Sequence, residues 1–265
     1  MKKILLIIGF MLLNYHFGAA QYVTTTAVKT PNGSTVDAEL FTGTDIVTNP
    51  SDIAGYISYL NSKYGANAVY MGVPTKTYNC HGYTFHVSAG GSNVWINYPN
   101  YEIYFNDLSY VRVNNESYAT KVVYTGDHSA VRLSSSWYQS KWGADYLVKH
   151  TPTSVPNDYF TGGTSYGIPD KYYMKAPSTQ ISGSRYVNCG DYVQYSLPYI
   201  PGATYTWSSD KGYLMSYSNG NDVGLFVKGQ GYIPSGGDSD ILRCTITTVD
   251  NKKLYTYTYI EISCY

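Results

Sequence analysis

The chain has 265 residues with 18 basic and 18 acidic side chains, so its formal net charge at neutral pH is zero. Only 14% of the residues are charged and no basic cluster occurs, which argues against nucleic acid and anionic membranes as partners. Tyrosine is unusually frequent, with 32 residues, and this favours half-buried strands and surfaces that bind sugars or peptides.

The first twenty residues predict a secretory signal peptide. Lys2 and Lys3 precede an apolar run from Ile4 to Leu13, and small residues follow up to Ala20. A membrane-spanning helix needs about 20 apolar residues, and this run is shorter. We therefore expect cleavage after Ala20 and a secreted, periplasmic or cell-surface protein without a membrane span.

The rest of the sequence divides into two regions with different patterns. Up to about Lys175 helical and strand patterns are mixed, whereas beyond Ser178 short strands alternate with turn clusters. The stretch from Met174 to Thr179 has the proline and small polar residues of a linker. We predict a signal peptide at residues 1–20, a first domain at 21–176 and a second at 177–265.

The first region predicts a helix followed by strands. Ser51 and Asp52 can cap a helix whose apolar residues recur at helical spacing until Gly65 ends it. Strands are predicted at residues 94–97, 103–105, 110–113, 121–124, 129–133 and 137–142. This order indicates an α+β fold.

The second region predicts an all-β fold. Strands are predicted at residues 192–197, 204–208, 224–227, 241–248 and 254–263. Asp250 and Asn251 mark the last hairpin turn, and Trp207 lies on a central strand. Turns at intervals of about 8 to 12 residues are typical of an immunoglobulin-like β-sandwich.

Three of the four cysteines lie in the second region, so Cys80 has no nearby disulfide partner. In a sandwich whose first and last strands run parallel, the start of the second strand and the end of the last can meet at one end. Cys189 with Cys264 is therefore the preferred disulfide, Cys189 with Cys244 is the next, and the remaining cysteine would be a buried thiol.

The stretch from Tyr78 to His86 is the most informative part of the sequence. Cys80 can begin a helix, where unpaired backbone N–H groups favour a thiolate. Thiolate chemistry also needs a proton carrier, and His128 begins a later strand. A polar residue on the next strand can orient the imidazole of such a histidine.

Three motifs occur in a fixed order: Asn-Cys-His-Gly-Tyr around Cys80, Asp-His-Ser-Ala around His128, and Ser-Lys-Trp-Gly from Ser140. In this order they resemble secreted bacterial proteins related to the papain-like cell-wall amidases and peptidases of the NlpC type. The resemblance covers roughly Thr30 to His150. It implies a helix carrying Cys80 at its N-terminus, packed against an antiparallel sheet that carries His128.

By this resemblance Cys80 would attack an amide carbonyl, and His128 would protonate the leaving amine and then activate water. A third polar residue would follow His128 by about a dozen positions, which is Ser140, where the family more often has His, Asn or Gln. Gln139 or Lys141 could serve if the hairpin register differed by one residue. The usual substrates would be peptide or isopeptide bonds of peptidoglycan stem peptides.

Several neighbouring residues have alternative interpretations. Tyr78 and His81 are expected to shape the pocket beside the nucleophile, and Lys141 could instead pair with an acid such as Asp127. His150 looks like an exposed strand end. Trp142 could pack under the sheet, and Cys80 itself could be a buried structural cysteine. No Cys-x-x-Cys or His-x-x-x-His spacing is present, so we expect neither a metal nor another cofactor.

Two classes of function follow from these patterns. The first is a secreted cysteine hydrolase that cleaves amide bonds through Cys80 and His128, with a second domain that binds a surface glycan or protein. The alternative is a non-catalytic surface or adhesion protein that binds glycan or protein on a papain-like scaffold, and the unusual Ser140 favours it.

Overall fold

The computed structural model describes residues 22–156 and 166–265. The predicted signal peptide at residues 1–20 lies outside these ranges. Within the described ranges, no helix has the length and apolar character needed to cross a membrane.

The first region combines helices with antiparallel strands, as expected for an α+β fold. Its elements up to residue 150 are β1 (Tyr22–Lys29), β2 (Thr35–Thr42), α1 (Pro50–Tyr64), β3 (Ala68–Gly72), α2 (Cys80–Phe85), α3 (Ile103–Asn106), β4 (Tyr110–Val113), β5 (Lys121–Tyr124), β6 (Ser129–Arg132), β7 (Tyr138–Lys141) and β8 (Leu147–His150).

Helix α1 is confirmed, with its start shifted slightly toward the N-terminus. Asn49 is the N-cap and accepts a hydrogen bond from the backbone N–H of Asp52, whose carboxylate accepts from the N–H of Asn49 in return. Gly65 ends the helix, as predicted. These reciprocal bonds satisfy backbone groups that a helix start leaves unpaired.

Two predicted strands of the first region differ from the structure. Residues 103–105 lie in α3 because Tyr101, Tyr104 and Phe105 are buried together at helical spacing. Residues 94–97 are reduced to a single bridge between Trp95 and Glu39.

A further strand, β9 (Pro169–Lys175), completes the main sheet. The described strands form a seven-stranded antiparallel sheet in the order β3-β8-β7-β6-β5-β9-β4. Met174 and Lys175 belong to β9, so the predicted linker cannot begin before Ala176.

The two faces of this sheet carry different helices. On one face Val123 packs in a cluster with Phe85 of α2. On the other face Val122 and Ala130 pack in a cluster with Leu60 of α1. Because successive strand residues point to opposite faces, alternation decides which helix each side chain meets.

The second region is built from strands. They are β10 (Tyr186–Asn188), β11 (Tyr192–Ser196), β12 (Thr204–Ser209), β13 (Leu214–Asn219), β14 (Asp222–Val227), β15 (Asp238–Thr247) and β16 (Lys253–Ser263). The described strands form one sheet in the order β10-β16-β15-β12 and another in the order β11-β14-β13.

The preferred disulfide between Cys189 and Cys264 is confirmed. Strands β10 and β16 run parallel, which brings the end of β10 beside the end of β16. Cys244 is a buried free thiol. A disulfide is typical of proteins that fold outside the reducing cytoplasm.

The hydrophobic core of the second region extends into the first. Val111 and Val113 of β4 belong to the same buried cluster as Trp207 of β12 and Ile246 of β15. Tyr118 and Tyr199 make an edge-to-face contact across the same boundary. The two regions are therefore joined by packed apolar side chains.

Candidate functional site

Cys80 is the first residue of α2, and its side chain is buried. The N-cap residue Asn79 accepts hydrogen bonds from the backbone N–H groups of Gly82 at 2.8 Å and Ile96 at 3.2 Å, and donates to the carbonyl of Ile96. A Cβ on Gly82 would lie 2.0 Å from the carbonyl oxygen of Val94, so only glycine permits this close approach. These contacts fix the start of α2 against the segment around Ile96.

Lys141 fixes the loop that leads to Cys80. Its Nζ donates to the carbonyl oxygens of Thr75 and Gly143, both at 3.0 Å, and to that of Asp145. It also lies 5.5 Å from the centre of the Tyr78 ring. Burial lowers the pKa of Lys141 to about 8. The expected pairing of Lys141 with Asp127 is wrong, because backbone carbonyls occupy its ammonium group.

His81 has both ring nitrogens engaged. Nε2 lies 2.8 Å from a carboxylate oxygen of Asp127, and Nδ1 lies 2.9 Å from the hydroxyl of Ser129. The ring stacks on Tyr101 with 4.0 Å between centroids. His81 is only 1% exposed, so this arrangement is held inside the protein.

The surroundings of His81 favour the protonated form of its ring. Burial by itself lowers the pKa of His81, but the charge of Cys80 and the hydrogen bonds with Asp127 and Cys80 outweigh burial and raise it to about 9. The hydrogen bond from His81 in turn holds the pKa of Asp127 below its usual value. The site therefore contains a fixed imidazolium next to the thiol.

His128 is the opposite case, because it is fully buried and neutral. Its Nε2 lies 3.1 Å from the hydroxyl of Ser140, and its ring stacks on Tyr166 with 4.0 Å between centroids. Burial lowers the pKa of His128 well below its usual value, and the nearby His150 and His81 lower it further. Among the described residues, Nδ1 of His128 has no hydrogen-bond partner.

Ser140 lies at the centre of a buried polar cluster. Its hydroxyl contacts Nε2 of His128, Nε2 of His150 at 2.8 Å and Nε1 of Trp142 at 3.1 Å. Gln139 is the adjacent strand residue and therefore points to the opposite face of the sheet. Of the polar side chains considered for the third position, Ser140 is the one that contacts His128.

His150 was expected at an exposed strand end, and this expectation is wrong. Its side chain is fully buried, and Nδ1 lies 2.8 Å from the carbonyl oxygen of Thr151. Burial lowers the pKa of His150 to about 4. The burial of His150 could have been predicted from a hairpin that turns near Gly143, because such a hairpin places residues 140 and 150 on the same face of β7 and β8.

Cys80 lines the pocket and His128 lies behind it, and Nδ1 of His128 is not hydrogen-bonded to the thiol of Cys80. Asp127 and Ser129, on either side of His128, bond to His81 of α2, whereas His128 points to the sheet face that carries Ser140. The Tyr166 ring connects the two locations, because it stacks on His128 and lines the pocket with Cys80.

The pocket above Cys80 has a volume of about 180 Å³. Its lining residues are Asn79, Cys80, His81, Trp95, Asn97, Asp127, Gly143 and Tyr166. Sequence reasoning did not single out Asn97 or Tyr166 for this pocket. Within the described ranges, no group of three or more His, Cys, Asp and Glu residues is placed to hold a metal ion.

Comparison with known proteins identifies no family. No protein-family model matches the chain, and no curated protein matches it. Among solved structures the chain is similar to the Enterococcus faecalis MSCRAMM ACE, described as binding its ligands by the collagen Hug model. The identity is 8%, the TM-score is 0.14, and the match covers 59% of this chain and 80% of that chain. A TM-score this low supports no statement about fold or function.

Proposed function

We propose that this protein is a secreted cysteine hydrolase that cleaves amide bonds in peptides, with peptidoglycan stem peptides as the expected substrate class. A papain-like fold for residues 21–176 is supported by α2, which begins with Cys80 and packs on an antiparallel sheet. An immunoglobulin-like sandwich for residues 177–265 is supported by its two sheets and the buried Trp207.

The observation that carries the proposal is a cysteine that shares its pocket with one charged imidazole, with a second, neutral imidazole behind the Tyr166 wall of that pocket. Cys80 lines the pocket, His81 beside it is charged, and His128 behind Tyr166 is neutral with Nδ1 unpaired. A charged neighbour stabilises a thiolate, and a neutral imidazole can accept a proton. Histidines with perturbed pKa values in and behind the wall of a cleft are a feature of catalytic sites.

The reaction would proceed through an acyl-enzyme. The sulfur of Cys80 attacks the amide carbonyl carbon, and the oxyanion is bound in part by the backbone N–H of Cys80. The C–N bond breaks as His128, carrying the thiol proton, protonates the leaving amine. His128 then takes a proton from water, whose oxygen bonds to the thioester carbonyl carbon. The C–S bond breaks, the acid leaves, and His128 returns the proton to the sulfur of Cys80. Ser140 holds Nε2 of His128 throughout.

This mechanism requires Nδ1 of His128 to approach the sulfur of Cys80. In the structure Nδ1 is unpaired, and the Tyr166 ring covers the imidazole. We expect substrate binding in the pocket to displace Tyr166, since catalytic contacts often form only in the substrate complex.

The test is mass spectrometry of muropeptides and a mixed peptide library after incubation with the mature protein. We expect the native protein to cleave and Cys80→Ala to lose this cleavage. The matched variant Cys244→Ala should keep it, because Cys244 is also a buried free thiol but belongs to the second region. Cleavage of neither substrate set by the native protein would contradict the proposal.

The second candidate is a non-catalytic surface protein, and two observations favour it. The thiol of Cys80 is not bonded to the free nitrogen of His128. Tyr255, Tyr257 and Tyr259 alternate along β16 and are all exposed, which suits a binding surface. An unreactive Cys80 toward iodoacetamide near pH 6, together with retention of Cys80→Ala on insoluble peptidoglycan, would favour this candidate.

A further inference from the structure

The outer face of the sheet β11-β14-β13 contains a groove of about 540 Å³. Its residues come from all three strands and from the segment before β11: Ser182, Gly183, Tyr192, Gln194, Tyr195, Ser196, Tyr217, Asp222, Val223 and Gly224. The groove lies in the second region and is independent of the site around Cys80.

Gly224 forms the floor of this groove. It lies on the central strand β14, opposite Gln194 on one side and Tyr217 on the other. A Cβ on Gly224 would lie 2.0 Å from the hydroxyl oxygen of Tyr192, so a side chain here would collide with that ring. Glycine at this position therefore makes room for the Tyr192 ring to lie against strand β14.

Two aromatic rings stand beside this floor with their surfaces open. Tyr192 is 59% exposed and Tyr217 is 61% exposed. Covering these rings would remove their apolar surface from contact with water, which is favourable. No described element of the protein covers them. The rings are thus available to a ligand with a flat apolar surface.

The polar groups around the rings are neutral or acidic. Gln194, Ser196 and Asp222 supply amide, hydroxyl and carboxylate groups, and among the described lining residues none is basic. An anionic ligand such as a phosphate would meet Asp222 without a compensating cation. Hydroxyl groups of a neutral ligand can instead donate to the carboxylate and amide oxygens.

We propose that this groove binds a neutral oligosaccharide. The C–H face of a pyranose ring can stack on Tyr192 or Tyr217, because the face of an aromatic ring is negative and attracts weakly positive C–H groups. The sugar hydroxyls bond to Asp222, Gln194 and Ser196. A peptide is disfavoured, since extended peptides pair with strand edges and this groove lies on a sheet face.

The test is titration calorimetry of the mature protein with four soluble hexasaccharides. Chitohexaose carries the N-acetylated β-1,4 linkage of wall and chitin glycans, whereas cellohexaose, xylohexaose and maltohexaose represent other polysaccharides. We expect one of these classes to bind and Tyr217→Ala to weaken its binding about ten-fold. The class that binds identifies the source of the natural ligand.

The matched control is Tyr232→Ala, which removes a similarly exposed tyrosine from the turn before β15, outside the groove. It should leave the affinity unchanged. Gln194→Ala is a second test, because it keeps both rings and removes one polar group. Thermal unfolding of each variant checks the fold. Absence of saccharide binding by the native protein, or equal losses in Tyr217→Ala and Tyr232→Ala, would overturn the assignment.

Discussion

His81 and His128 differ in charge because their ring nitrogens have different neighbours. The two ring nitrogens of His81 contact Asp127 and Ser129, and the ring also interacts with Cys80, so His81 is held as a positive charge beside the thiol. His128 is neutral and has Nδ1 unpaired. If Cys80 is catalytic, His81 acts as a fixed cation and His128 as the proton carrier.

His81→Gln should therefore slow alkylation of Cys80 by iodoacetamide near pH 6 about ten-fold. Glutamine can still bond to Asp127 or Ser129, but it removes the charge that favours the thiolate. The measurement is the alkylation rate by mass spectrometry. His86→Gln is the matched control, because His86 is half-buried beside Tyr104 and outside the pocket. Equal rates in the native protein and His81→Gln would refute the role of the cation.

Part of the arrangement of this site could be predicted from the sequence. The interval between His128 and Ser140 predicted a contact that the structure contains, because the hairpin β6–β7 places both residues on one face. The burial of His150 followed from the hairpin that turns near Gly143 rather than from its local sequence, to which the neighbouring Lys149 gives a surface character. The pairing of Asp127 with His81 depends on how α2 docks, which local patterns do not encode.

At the scale of elements, the position of the loop that leads to Cys80 depends on one buried ammonium group, that of Lys141. Lys141→Met keeps the length of the side chain but leaves one buried and two partly buried carbonyl groups without their donor. We expect a loss of about 3 kcal/mol in the free energy of unfolding, measured by urea denaturation. Lys149→Met is the control, because this half-buried lysine contacts the ring of Trp137 and no buried carbonyl cluster. A loss below that of the control would contradict this view.

The disulfide has a separate effect on the second region. Replacing both Cys189 and Cys264 by alanine should lower the free energy of unfolding by about 3 kcal/mol, because the bond constrains a long loop of the unfolded chain. Urea denaturation of the double variant measures this. Cys244→Ala, which removes a thiol without opening a bond, separates the cross-link from simple loss of sulfur. An unchanged midpoint in the double variant would count against a stabilising bond.

Element prediction succeeded where the local pattern also decided the packing. Helix α1 has capping residues, an apolar stripe and a terminal glycine, and most predicted strands alternate clearly. The prediction of a strand at 103–105 was wrong, because the short apolar run left helix and strand undecided. Strand β9 was not predicted, and its last residues, Met174 and Lys175, were placed in a linker because a proline follows them.

For the whole molecule, the buried histidines impose an optimum of stability against pH. The pKa of His81 is raised to about 9, so its contribution is complete below about pH 6.5 and is lost as the pH rises through 9. The pKa of His150 is lowered to about 4, so its contribution is complete above about pH 6.5 and is lost as the pH falls through 4. Each contribution is on the order of 3 kcal/mol.

We therefore expect the free energy of unfolding to be highest near pH 6.5 and to fall on both sides. Urea denaturation across this range measures it. His150→Phe should reduce the loss on the acidic side, to which the buried His128 also contributes, and His81→Gln should flatten the alkaline side. A stability that rises steadily across the range would contradict the assignment of these charges.

The position of β9 also has a consequence for how the chain folds as it is made. Strands β4 and β5 do not pair with each other, and each is completed only when β9 lies between them. During synthesis or export from the N-terminus, the edges of β4 and β5 that pair with β9 therefore stay unpaired until Lys175 has emerged. Unpaired strand edges can hydrogen-bond to other chains. We therefore expect chaperones of the destination compartment to bind this protein before β9 has paired.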